Sequence, residues 1–337
     1  MRGIQISKYL ERPENIDQLS PINLPDPNPK SNQYLISIRA SATNFFDILQ
    51  VQGKYQHQPP LPWISGSEFA GVILKTPTTG TPKYKVGDRV FGATQGSYAT
   101  KICTTEDFLH KIPDTWSFED AAGLYVTVPT SYAALTIRAN VKEGEWVLVH
   151  AGAGGVGLAA IQIAKALGAK VIATAGTEDK LKTCKSFGAD YGVLYNDKSW
   201  TQEVLKLTGG KGVDVVYDPV GLVDLSMKCI NWNGRILVVG FAGGSIEKVA
   251  LNRVLLKNIS IVGIHWGAYK KFEPEQIDGV WRGIFDLIEQ GKFKPTVYGE
   301  KFNGLENVGK ALKALGARET WGKVVVSVPE EEERAKL

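Results

Sequence analysis

The run Val147-Leu148-Val149-His150-Ala151-Gly152-Ala153-Gly154-Gly155-Val156-Gly157 holds the residues whose spacing speaks most directly of chemistry. Gly152, Gly154 and Gly157 form a G-x-G-x-x-G pattern. An apolar run precedes it and small and apolar residues, Gly155 to Leu167, follow. Strand, glycine turn and helix in that order are the context in which this pattern holds a dinucleotide pyrophosphate. Gly152 is expected to permit the tight turn, Gly154 to let backbone N–H groups approach the phosphates, and Gly157 to let helix and strand pack closely. The helix N-terminus favours the negative charge. The whole segment Gly152, Ala153, Gly154, Gly155, Val156 and Gly157 is therefore the candidate cofactor-binding turn.

The next apolar run decides which dinucleotide. NAD-specific sites place an acid about 20 residues beyond the first glycine, on the ribose 2′-hydroxyl. Here Val171-Ile172-Ala173-Thr174-Ala175 ends in Gly176-Thr177, and Glu178 and Asp179 come later, where they open a helix and suit its dipole. Lys180 follows. A small residue, a hydroxyl and a lysine suit a 2′-phosphate, so Gly176, Thr177 and Lys180 point to NADPH. A solvated helix lysine is the competing reading of Lys180.

These residues need a parallel sheet to position them. From about residue 120 to 264, strand-like runs (Trp146 to His150, Val171 to Ala175, Val213 to Tyr217, Ile236 to Val239, Ile259 to Val262) alternate with helix-like ones (Gly155 to Leu167, Glu178 to Phe187). Such alternation predicts a doubly wound parallel α/β domain. Residues 1–120 are rich in Pro and Gly and carry short alternating runs, such as Tyr34 to Ile38 and Gly71 to Leu74, which predict an antiparallel β domain. Met1 to Ile6 reads as a first strand and not as a leader peptide. Helices over Pro274 to Gln290 and Leu305 to Leu315 and a strand over Lys323 to Val328 are expected after it. The division expected is 1–122 with 265–337 for the β domain and 123–264 for the dinucleotide domain.

Composition sets limits on function. A chain of 337 residues, 43% hydrophobic and 22% charged, is globular and neither disordered nor fibrous. No apolar run is long enough to span a bilayer. A net charge of +4 is too slight to argue for nucleic acid, and no basic stripe is interleaved with aromatics. Cys103, Cys184 and Cys229 lie far apart and form neither a disulfide framework nor a metal pair, so a reducing, cytoplasmic setting is expected.

The glycine turn and its flanks resemble the zinc-free quinone oxidoreductase family of the medium-chain dehydrogenase/reductase superfamily. The matching segments are Asn44-Phe45-Phe46-Asp47, Gly53-Lys54-Tyr55, Pro60-Leu61-Pro62, Gly66-Ser67-Glu68-Phe69-Ala70-Gly71-Val72 and Val86-Gly87-Asp88-Arg89-Val90. Pro129-Thr130-Ser131-Tyr132-Ala133-Ala134-Leu135, Asp218-Pro219-Val220-Gly221, Val239-Gly240-Phe241 and Gly322-Lys323-Val324-Val325 continue the series. The resemblance implies a GroES-like β domain plus a Rossmann domain with the active site between them, and a homodimer. Zinc-dependent members carry Gly-His-Glu where this chain has Gly66-Ser67-Glu68, and a ligating Cys where Asn44 lies. With the four histidines showing no ligand spacing, no catalytic metal is expected.

The same resemblance assigns roles. Asn44, Asp47 and Tyr55 are placed near the acceptor, with helix-terminal carboxylate as the competing role for Asp47 and loop packing for Tyr55. Thr130 is placed at a turn on the nicotinamide side. Tyr195 flanks the adenosine phosphate, and Val220, Phe241 and His265 line the cofactor. Phe241 could equally be a core aromatic, and a structural histidine is the competing reading of His265. Lys323 is placed on the cofactor phosphates, with surface exposure as its alternative. Leu49 stands where relatives carry a second tyrosine, which makes one wall of the acceptor pocket more apolar. The activity implied is NADPH-dependent reduction of quinones; reduction of alkenals or enones is the alternative within enzymes, and a non-catalytic RNA-binding or structural role the alternative outside them. The closing Ala335-Lys336-Leu337 is a conservative variant of the Ser-Lys-Leu peroxisomal address, set against a plain cytoplasmic tail.

Overall fold

The alternation over Tyr34 to Ile38 grows into a nine-residue strand, Tyr34–Ala42 (β1). In the computed structural model, which describes residues 1–330, this strand runs through the first of two units, 1–126 with 295–337. After β1 come α1 (Phe45–Val51), β2 (Glu68–Lys75), β3 (Arg89–Ala93), β4 (Lys101–Thr104), β5 (Leu109–Lys111) and α2 (Phe118–Ala122). Strands β1, β2, β3 and β5 pair antiparallel in that order, and β4 also pairs with β1. A Cβ at Gly71 would sit 2.1 Å from the Ser37 carbonyl, so β1 and β2 approach this closely only because that residue is glycine. Tyr34, Ile36, Ile38, Phe69, Ile73 and Tyr98 fill the core beneath. The N-terminal strand is broken into Arg2–Gly3 and Gln5–Ile6, which pair with Ile22–Asn23 and Trp63–Ile64.

The second unit covers 127–294. It opens with α3 (Thr127–Ala133), which runs on as a wider π turn to Arg138. Then follow β6 (Trp146–Val149), α4 (Gly155–Ala166), β7 (Lys170–Ala175), α5 (Glu178–Ser186), β8 (Tyr191–Leu194), α6 (Trp200–Leu207), β9 (Val213–Asp218), β10 (Ile230–Val238), α7 (Leu251–Lys257), β11 (Ser260–Gly263) and α8 (Ile277–Glu289). The six strands are all parallel, in the order β8-β7-β6-β9-β10-β11. This is the doubly wound order, and it reverses at β6, where such sheets hold their ligands. Val147, Leu148 and Val149 are fully buried, as a central parallel strand requires.

Residues 265–294, expected in the first unit, fall in the second. The reason is local. Gly283 of α8 has the Tyr132 hydroxyl of α3 where a Cβ would stand. Gln162 of α4 exchanges two hydrogen bonds with the Lys294 backbone, 3.2 and 2.9 Å. The expected helix from Pro274 begins as a tight turn, Pro274–Gln276, before α8.

The chain then completes the first unit with β12 (Phe302–Asn303), α9 (Val308–Gly316) and β13 (Val325–Ser327). Strand β13 pairs antiparallel with β1 and parallel with β12. The two expected domains are thus present, a GroES-like antiparallel β unit and a Rossmann unit. Among the described residues, no helix is long and apolar enough to cross a membrane. Ala335-Lys336-Leu337 lies outside the described residues.

Candidate functional site

In the second unit, the turn after β6 is built differently from the expectation in one respect. The left-handed residue is Ala151, at φ 46°, and not Gly152. Gly152 is required by space: a Cβ there would lie 2.9 Å from the Ala173 Cβ and 3.0 Å from the Cys184 sulfur. At Gly157 a Cβ would meet the carbonyl oxygens of Ala151 and Gly152 at 2.5 and 2.6 Å, so helix and turn close on each other as expected. Gly154 is the N-cap of α4 and supplies no side chain to the first-turn amides of Gly155, Val156 and Gly157. An amide row left uncapped at a helix N-terminus suits a pyrophosphate. His150, just before the turn, is held in the core by Thr174 and Ser226 at 2.9 and 2.8 Å, and burial keeps its pKa down at about 4.

At the end of β7, Thr177 caps α5, its hydroxyl accepting from the Lys180 N–H at 3.4 Å. Glu178 and Asp179 are exposed in the first helical turn, where Asp179 pairs with Lys182 at 2.8 Å. Tyr195 bonds back to the Ala175 carbonyl, and its hydroxyl lies 3.1 Å from where a Cβ of Gly176 would be. The structure thus gathers Gly176, Thr177, Lys180 and Tyr195 at one strand end. It adds Asn196, which the sequence reading missed, donating to the Gly176 carbonyl at 2.9 Å.

The Asp218 carboxylate explains the Asp218-Pro219-Val220-Gly221 segment. It accepts from the N–H groups of Val220, Gly221 and Leu222 at 2.8, 2.9 and 2.5 Å. Backbone bonds Ala242 to Pro219 and Gly243 to Val220 then zip the turn after β10 onto this one. This sets Gly243 against Val220 and the Phe241 ring 3.7 Å from where a Cβ of Gly221 would be, and Phe241, 43% exposed, is not a core aromatic. His265 is exposed and precedes a short turn, Trp266–Ala268. Thr130 lies half-buried within α3 and not at a turn. Its neighbour Ser131 is buried and bonds Thr127, Val156 and Tyr217 at 3.0, 2.9 and 2.8 Å, tying α3 to the glycine helix and to β9.

The first unit holds a buried polar network that the sequence reading saw only in part. Lys323, 3% exposed, donates to the Thr43 carbonyl at 2.9 Å, Asn44 Oδ1 at 2.6 Å and Glu68 Oε2 at 2.7 Å. Its three N–H donors are used there, so it is neither a surface lysine nor free for a cofactor phosphate. Asn44 Nδ2 donates to the same Glu68 oxygen at 2.9 Å, and Glu68 Oε1 accepts from the Val126 N–H at 2.6 Å. Asp47 closes the first turn of α1 by accepting from the Asn44 N–H at 2.8 Å. It also takes the Tyr98 hydroxyl at 2.7 Å and the Ser67 hydroxyl at 3.3 Å. Burial pushes the Asp47 carboxyl up to about 6, against the pull of Tyr98, the Asn44 N–H and Lys323. Burial first, and then the nearby Asp47 charge, raise Tyr55 above its ordinary value, so its hydroxyl stays a donor; its ring stacks on Phe46 at 5.3 Å. Glu68 was given no role because Gly66-Ser67-Glu68 was read only for its missing histidine, and Tyr98, outside every quoted segment, was not named.

The zinc-binding dehydrogenase family model matches residues 155–282, and the alcohol dehydrogenase GroES-like domain model matches residues 30–136. The mouse quinone oxidoreductase-like protein 2 is 37% identical over 95% of this chain and 90% of its own length. The structure of Escherichia coli quinone oxidoreductase complexed with NADPH superposes with a TM-score of 0.84 at 30% identity, covering 97% of this chain and all of that one (100%). The CurK enoyl reductase gives 0.85 at 26% identity, covering 97% and 99%. With a Rossmann sheet, a GroES-like unit and relatives matched over nearly their whole length, the chain belongs to the quinone oxidoreductase family of the medium-chain dehydrogenase/reductase superfamily.

Proposed function

We propose that the protein reduces quinones or related conjugated carbonyl compounds with NADPH, without zinc. The observation that carries the reading is the uncapped N-terminus of α4 together with the acid-free strand end of Gly176, Thr177, Lys180 and Tyr195. The glycine turn takes the pyrophosphate, and Lys180 with Thr177 and Tyr195 takes the 2′-phosphate. Thr130, Val220, Phe241 and His265 flank the nicotinamide, which supplies a hydride when bound. Asn44 and Tyr55 offer an amide and a hydroxyl to the acceptor oxygen. Lys323 acts through Asn44, whose Oδ1 it fixes so that the amide cannot rotate.

The residues around Ser67 do not fit a catalytic zinc. Such a site needs three Cys, His or carboxylate ligands. Ser67 and Asn44 replace two of them, and the Lys323 ammonium already neutralises Glu68. Among the described residues no group of three His, Cys, Asp or Glu stands together as ligands. The free thiols of Cys103, Cys184 and Cys229 agree with a reducing, cytoplasmic setting. A homodimer agrees with the open edge of β11, where Ile261 is exposed, and with Leu251, Leu255 and Leu256 of α7, each at least 71% exposed.

The test is a panel of quinones, enals and enones offered with NADPH and with NADH, with and without a chelator. NADPH oxidation by quinones, unaffected by chelation, is expected. Faster turnover of enals or enones would favour the double-bond reductase that the CurK likeness suggests. No oxidation with any acceptor, together with salt-sensitive RNA binding, would overturn the reading.

A further inference from the structure

Hydride addition to a conjugated acceptor leaves negative charge on its oxygen, and a proton must follow. The reading of the protein as a nicotinamide-dependent reductase therefore needs a proton source, and the first unit contains one that this reading has not used. Asp47 is 1% exposed, and its two oxygens are not equivalent. Oδ2 accepts two bonds, from the Tyr98 hydroxyl at 2.7 Å and the Asn44 N–H at 2.8 Å. A proton on Oδ2 would require the Tyr98 hydroxyl to turn from donor to acceptor. With these bonds kept, the proton of a neutral Asp47 sits on Oδ1, and Oδ1 faces the Ser67 hydroxyl at 3.3 Å. Ser67 is only half-buried. It is the side chain through which a proton can enter or leave this carboxyl.

We propose that Ser67 hands a proton to the oxygen of the reduced acceptor and that Asp47 refills it. The Ser67 O–H bond breaks as the new acceptor O–H forms, and the Asp47 Oδ1–H proton passes to the Ser67 oxygen. The electron pair of the hydride stays on the acceptor, and Asp47 is left as a carboxylate. Water returns one proton through Ser67 after the product leaves, so each turnover consumes one hydride and one proton. The Ser67 to Asp47 separation is long for a hydroxyl bond, as unliganded catalytic bonds often are. The groups that act on the carboxyl are few. Tyr98 and the Asn44 N–H hold Oδ2, Lys323 and Glu68 oppose each other as a pair, and Tyr55 stays protonated. Burial lifts the acid to about 6, near enough to neutral pH to be reprotonated.

The test compares Ser67→Ala, Ser67→Thr and Asp47→Asn in the full chain with NADPH and a quinone. Asn reproduces the neutral acid, its oxygen taking the place of Oδ2 and its amide facing Ser67, so the fold is kept while the transferable proton is gone. A donor must be protonated to act, so wild-type kcat should be full below pH 6 and fall as pH rises through about 6. Ser67→Ala and Asp47→Asn should lower kcat about 100-fold, with little change in KM, and remove that inflection. Ser67→Thr, which keeps the hydroxyl, should restore most of the rate. Independently of any acceptor, the infrared C=O stretch of a protonated carboxyl should appear below pH 6 and be absent in Asp47→Asn. A working reductase whose rates and pH profile ignore both Ser67→Ala and Asp47→Asn overturns the relay alone, as does a missing carboxyl band at pH 5. A titrating band in a protein that reduces no acceptor overturns the reductase reading and the relay together.

Discussion

In the proposed reading, Lys180 carries the choice of cofactor. It stands in the first turn of α5 with its N–H on the Thr177 hydroxyl, beside a strand end that has no carboxylate. Hydrogen bonds to charged groups are worth about 1.5–3 kcal/mol, roughly ten- to a hundred-fold in affinity. Lys180→Ala should raise KM for NADPH by that factor and leave KM for NADH nearly unchanged; equal rises for both would remove the phosphate role. The sequence could suggest this role because its signal is a local absence, an acid missing from a turn. Lys323 was not legible in the same way. Its partners Asn44 and Glu68 lie more than 250 residues away, and no local pattern reports a bond of that span. The Ser67 to Asp47 contact was half legible, since both residues stood in quoted motifs and only folding set them against each other.

At the scale of elements, the Lys323 to Glu68 pair ties the segment before β13 to the start of β2, and through Asn44 to the start of α1. Both side chains are almost fully buried, 3% and 0% exposed. Removing one partner of such a pair leaves an uncompensated charge and costs about 3–5 kcal/mol, whereas replacing both by apolar groups of similar size is often near neutral. Lys323→Met should therefore destabilise the fold in urea by about that amount, and adding Glu68→Leu should recover most of it. Two additive losses would mean the pair is not the unit described. The Rossmann elements were the readable ones, because β6 to β9 are apolar runs broken by glycine. Helices α6 and α7 escaped: α7 shows its leucines to the outside, so no inward-facing stripe marks it. The stretch 265–294 was given to the wrong unit because the contacts of Gly283 and Lys294 are tertiary and leave no local mark.

For the whole molecule, the proposed dimer rests on the open edge of β11 and the exposed leucines of α7. An unpaired strand edge beside exposed apolar side chains is a surface that monomers rarely leave bare. Light scattering should return the mass of two chains for the wild type and of one for Leu255→Glu, which puts a charge at a position 77% exposed. A monomeric wild type would dispose of the dimer. The two-domain plan itself was readable from the change of pattern near residue 120, since alternating strands and helices admit few arrangements.

The first unit is made from two stretches of chain that flank the second, 1–126 and 295–337. Seen from the ribosome, this is a matter of timing. Glu68 and Asn44 emerge early, and the lysine that neutralises Glu68 and bonds Asn44 comes more than 250 residues later, or about 13–55 s at roughly 5–20 residues per second. Through that interval β1 lacks its β13 neighbour and the nascent β unit carries an open edge and an unpaired acid. The Rossmann unit, contiguous in the chain, has all its parts before the unit that precedes it does. The Rossmann unit is thus whole before the β unit that brackets it, and β13 is made long after the β1 it pairs with.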